Sequence, residues 1–130
     1  MTESNWTNAT KPSALAAAIA HAEGFGVVGA IPTQAHNPGD LVLGDKGHGT
    51  LGAEAITVFQ DDATGWAALD HQLEMIRTHR SHVYTVGMTI REMAAHWTRT
   101  QPDAWAQNVA DDLTKNGRPS TVDTLLKEVL

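Results

Sequence analysis

The stretch His21–Leu43, HAEGFGVVGAIPTQAHNPGDLVL, decides how this chain is read. It carries a carboxylate, Glu23, to the point where an alanine-rich helix has to stop. Gly24, Gly26 and Gly29 follow it closely. Glycine at a helix end adopts the left-handed conformation that closes the last turn, so Gly24 is the expected stop. Asn37-Pro38-Gly39-Asp40 then forms a sharp turn, with each residue type suited to one corner of it. The stretch therefore sets a helix-end carboxylate beside a glycine-rich loop whose backbone can lie close to a ligand.

Upstream, residues 1–11 read as a flexible polar arm, and residues 12–130 as a single domain. Pro12 suits a first helical turn, and Ser13–Glu23 is dense in alanine with Leu15, Ile19 and Ala22 on one face. Downstream, residues 32–52 hold five glycines and two prolines and read as loop. Leu41-Val42-Leu43 and Ile56-Thr57-Val58-Phe59 are strand candidates that could pair as a short ribbon.

The second half reads as helical. A helix over Gly65–Thr78, capped by Asp62 or Thr64, places Trp66, Leu69, Leu73 and Ile76 on one stripe. Thr89 and Glu92 form a capping box for Ile90–Trp97. Pro102 opens a helix over Asp103–Lys115 with Trp105, Val109 and Leu113 spaced by four, and Asn116-Gly117 ends it. A last helix is expected from Thr121 to Leu130. The fold class is thus mainly α, with about five helices and a short β-ribbon and glycine-rich loop between the first and second.

At 130 residues the chain supports one real core. It has no cysteine, so neither disulfides nor thiolate zinc sites hold it together. The net charge is −6 and the nine basic residues form no stripe, which argues against nucleic-acid binding. No apolar run approaches the length of a membrane span. The N-terminus lacks a signal-peptide pattern, which leaves a mature or trimmed form, a phage-type product exported by other means, or a cytoplasmic protein; action outside the cell or in the periplasm is the expectation. Asn-x-Thr sequons at Asn5 and Asn8 bear only on a eukaryotic secretory setting.

Taken in order, Glu23-Gly24-Phe25, His36-Asn37-Pro38-Gly39-Asp40-Leu41, Gly49-Thr50, Val58-Phe59, Gly65-Trp66-Ala67-Ala68-Leu69, Thr89–Met93 and the aromatic helix near Trp105 resemble a bacterial and phage lysozyme-like family related to lytic transglycosylases. The resemblance spans roughly residues 14–113. It implies the lysozyme-like fold, a peptidoglycan or related amino-sugar polymer as partner, and Glu23 as the catalytic acid. The chain departs from the pattern at His36, where asparagine is frequent, and at Ile56, where an aromatic often opens the strand.

Glycosidic cleavage needs a proton delivered to the leaving oxygen, and a carboxylic acid kept protonated by apolar surroundings supplies it. Phe25, Val27 and Val28 could provide that setting. The alternative is a Glu23 that merely ends a helix, a position the helix dipole disfavours for an anion. Asp40, Asp45, Glu54, Asp61 and Asp62 are candidates for a second carboxylate, Asp40 first. An aspartate in such a turn also commonly serves its own backbone. Without a facing carboxylate, non-hydrolytic cleavage by Glu23 alone is the expectation.

Asn37 is a candidate for an N-acetyl group or simply for the turn. His36, Gly39 and Tyr84 are further candidates for lining the cleft, whereas Trp66, Trp97 and Trp105 read as core. His36, Asp40 and His48 are close in sequence but lack a recognisable ligand spacing, so no metal and no cofactor are expected. The leading expectation is a monomeric peptidoglycan-cleaving glycosidase, whether muramidase, glucosaminidase or lytic transglycosylase. Its rival is a non-catalytic glycan-binding or phage structural module of the same fold.

Overall fold

The computed structural model describes residues 12–130, so the N-terminal arm expected over residues 1–11 lies outside the described residues. Among the described residues the order is α1 (Ala14–Glu23), α2 (Ile31–Gln34), β1 (Thr50–Leu51), β2 (Ile56–Thr57), α3 (Asp62–Arg77), α4 (Ile90–Trp97) and α5 (Pro102–Lys115), with a closing 3-10 turn at Leu126–Glu128. The molecule is mainly α with a small antiparallel ribbon, Thr50 opposite Thr57 and Leu51 opposite Ile56.

The core follows from the three- and four-residue spacing of the apolar positions. Leu15 and Ile19 of α1, Leu69, Leu73 and Ile76 of α3, Ile90 and Met93 of α4, and Val109 and Leu113 of α5 are almost wholly buried in one cluster. Helix α5 packs against both α1 and α4. Local signals set the helix ends. Ser13 Oγ accepts from Ala16 N at 3.2 Å, and the Thr89–Glu92 capping box is complete in both directions. The cap of α3 is Asp61 rather than Asp62 or Thr64: its carboxylate accepts from Thr64 N at 2.8 Å and lets the helix begin at Asp62.

The architecture differs from the expected one at three places. Residues 121–130 form only the 3-10 turn at Leu126–Glu128, not the expected helix. Their backbone groups pair across instead, Leu126 N to Met88 O at 2.8 Å and Lys127 N to Val86 O at 3.0 Å, while Ile90 N and Arg91 N donate to Thr124 O and Val122 O. Donors and acceptors used across the chain are withdrawn from an i→i−4 ladder, yet Leu126 and Val129 are buried as the spacing suggested. The loop expected from Pro32 begins instead with the short helix α2, with Pro32 in its first turn. Leu41–Leu43 is not a strand. It lies beside β2, joined by Thr57 N to Leu41 O at 3.0 Å and by Leu43 N to Thr57 Oγ1 at 2.7 Å, and the partner of β2 is Thr50–Leu51.

Candidate active site

Glu23 is the last residue of α1. Gly24, with φ +85°, closes the helix by directing its N–H to His21 O, and Phe25 N donates to Ala20 O at 3.0 Å. This double closure fixes the direction in which the Glu23 side chain leaves the helix. Phe25 is held by an edge-on contact with Trp66, ring centroids 5.4 Å apart.

The facing wall is the turn that carries Asp40. Asn37 is wholly buried. Its amide donates to Leu41 O at 2.9 Å and Thr57 O at 2.8 Å, and its carbonyl accepts from Leu41 N at 2.9 Å. One side chain thus ties the turn to β2. Gly39 sits close under the core: a Cβ there would stand 2.9 Å from Leu69 Cδ1, so that methyl would have to shift. Gly65, in the first turn of α3, allows a closer approach still, since a Cβ would lie 1.9 Å from His36 O.

Two hollows meet at Glu23, Thr98 and Thr100. The first, of about 370 Å³, is lined also by Gly39, Asp40, Glu54, Tyr84 and Trp97; the second, of about 350 Å³, continues past Trp105 toward Gln101 and Asn108. Glu23 therefore stands on the wall that the two halves of this groove-like surface share.

Burial pushes the Glu23 carboxyl up to about 7. The Trp105 indole pulls the other way by donating to Oε2 at 2.9 Å, and the charges of Asp40 and Glu54 push it further up. Burial likewise raises Asp40 to about 6, with the Glu54 charge adding to it. Asp40 Oδ1 is buried without a hydrogen-bond partner among the described residues. Burial thus holds both groove carboxyls above the ordinary carboxylate range, Glu23 the further of the two.

Of the five candidate second carboxylates, the structure brings Asp40 and Glu54 into the groove. Asp45 is turned onto Gly47 N and Gly49 N of its own loop. Asp61 caps α3, and Asp62 pairs with His36 Nδ1 at 2.7 Å. His36, so paired, is not among the residues lining the groove, and the Asn37 side chain is spent on the turn and on β2. Gly39 lines the groove, its carbonyl accepting from Trp97 Nε1 at 3.1 Å. Tyr84 lines it too, half-buried against Trp97 and His96, with burial pushing its hydroxyl up to about 12.

Sequence reasoning assigned Trp97 and Trp105 to the core alone, and missed Gln72, His96, Thr98 and Thr100 on the groove wall. Trp105 carried a usable signal: a buried indole has an N–H that needs an acceptor. His96, Thr98 and Thr100 lie at a helix end and in a connection where apolar spacing says nothing, and Gln72 is a polar residue within α3 that the apolar stripe leaves out. His36, Asp40 and His48 do not assemble, and no group of three His, Cys, Asp or Glu able to hold a metal occurs among the described residues. No helix among them is long and apolar enough to cross a membrane.

In comparisons with known proteins, no family model, no curated protein and no solved structure matches this chain, so the reading of the groove stands on its own geometry.

Proposed function

We propose that this chain is a glycosidase of peptidoglycan or a related amino-sugar polymer, with a lysozyme-like fold and Glu23 as general acid. The observation that carries the reading is Glu23 itself, half-dry at the meeting point of two hollows and raised to about 7. A groove open on both sides of the acid suits the interior of a strand, so internal bonds are cleaved.

Glu23 gives its proton to the glycosidic oxygen as the bond to the anomeric carbon breaks. Asp40, ionised at the same pH, takes a proton from the water that attacks that carbon, leaving a hydrated reducing end. The presence of Asp40 and Glu54 on the same wall favours hydrolysis over cleavage by Glu23 alone. A substrate of this kind requires action outside the cell or in the periplasm. An acidic chain meets an anionic wall more readily as salt screens the repulsion.

The test compares wild type with Glu23→Gln on cell-wall suspensions. Turbidity should fall with wild type and hold with the variant, while both sediment with the walls. Binding without turbidity loss by wild type would leave a glycan-binding module in place of an enzyme.

A further inference from the structure

We propose that Trp97 and Trp105 are a positioning pair, which locks the Glu23 carboxylate and the turn bearing Asp40 in one geometry across the groove. The inference rests on the glycosidase reading for its consequence in catalysis, and on geometry for its existence.

Each indole has a single polar atom. Trp105 Nε1 donates to Glu23 Oε2 at 2.9 Å, and Trp97 Nε1 donates to Gly39 O at 3.1 Å, next to Asp40. The two rings stack, centroids 6.3 Å apart and planes 29° from parallel. Two rigid plates in contact therefore connect the acid on α1 to the turn on the opposite wall. Those partners are far away in sequence, 82 residues from Trp105 and 58 from Trp97.

The pair is itself braced. Trp97 ends α4 and Trp105 lies in the first turns of α5, so one short connection holds both. Within it Thr98 Oγ1 donates to Thr100 O at 3.0 Å, and Gln101 adopts the left-handed conformation at φ +48°. A non-glycine residue there is strained, and strain persists where surrounding structure enforces it. Tyr84 packs against Trp97, ring centroids 5.5 Å apart. A core role alone needs the rings but not their N–H groups aimed at opposite walls of one groove.

The pair has a chemical consequence as well as a geometric one. The Trp105 N–H favours the ionised Glu23 carboxylate, opposing burial, and so keeps the proton transferable. Asp40, Glu54, His96 and Arg99 line the same hollow and are the titratable and charged groups that share it with Glu23 and Tyr84.

The experiment uses Trp105→Phe, Trp97→Phe and the double variant, each retaining an aromatic ring and losing a donor. The carboxyls of Glu23 and Asp40 are titrated by carbon-13 NMR, and kcat is measured against pH on cell walls. W105F should raise the Glu23 midpoint and carry the basic limb of the rate profile up with it. W97F should move the Asp40 midpoint. Each single variant should lower kcat at least tenfold, and the double variant should lose less than the product of the two losses, as residues acting as a unit do. An unmoved Glu23 midpoint in W105F, an unmoved Asp40 midpoint in W97F, or losses that multiply independently would overturn the pairing. Should W105F fail to fold, benzothienylalanine at position 105 keeps the shape with sulfur in place of N–H and is judged by the same midpoints. If wild type cleaves no wall at all, the glycosidase reading fails. The NMR titrations then decide the pair by themselves: movement of both carboxyls supports it, and either one unmoved overturns it.

Discussion

Replacing Glu23 by glutamine should make the protein more stable at alkaline pH while abolishing cleavage. In the folded chain the Glu23 carboxyl holds its proton up to about pH 7, against 4.5 without the fold. The native state thus binds the proton more tightly than the unfolded chain does. Below pH 4.5 the group is protonated in both states and costs nothing. Between there and about pH 7 the cost of keeping an anion in the groove grows, and above that it is complete. At roughly 1.4 kcal/mol per pH unit, the displacement is worth about 3 kcal/mol.

Glutamine has the same shape and no charge, and its carbonyl can accept the Trp105 N–H. The two proteins should therefore unfold alike in urea at pH 4.5. At pH 8 the variant should be more stable by about 3 kcal/mol, a difference of roughly 10 °C in Tm for a domain of this size. Parallel stability curves across that pH range would refute the claim that Glu23 is buried and raised in the native state. Such a pattern of gained stability and lost activity at one residue marks a group placed for chemistry at a cost to the fold.

Cleavage should follow a narrow bell in pH, its acid limb set by Asp40 near 6 and its basic limb by Glu23 near 7, and Asp40→Asn should lower kcat/KM steeply at every pH where wild type is active. Gly65→Ala should destabilise far more than Gly39→Ala in urea unfolding, because its Cβ meets the His36 carbonyl at 1.9 Å whereas that of Gly39 meets a movable leucine methyl at 2.9 Å. Asn37→Ala should cost on the order of 3 kcal/mol, since it removes the acceptor of Leu41 N and the Asn37 amide donor from Thr57 O and Leu41 O, of which Leu41 O keeps Thr57 N.

What the sequence made legible was whatever local chemistry decides. The stop at Gly24, the Thr89–Glu92 box, the Pro102 start and the apolar stripes of α3 and α5 are each settled by neighbours within one turn. Glu23 was visible for the same reason, as a carboxylate stranded at a helix end. The tail from Thr121 was misread because its backbone is captured by residues 86–91, a pairing no local pattern announces. His36 and Asn37 looked like ligands for the groove because they sit in its turn. Which way they point is decided by Asp62 and by β2, respectively 26 and 20 residues away along the chain. Trp105 shows the converse: its burial was readable from spacing, whereas its acceptor stands on another helix.

The most direct test is mass analysis of muropeptides released from purified walls by wild type and by Glu23→Gln. The account predicts glycan fragments with newly formed hydrated reducing ends from wild type, and none from the variant. Identical digests from the two proteins, or no fragments from either, would contradict it.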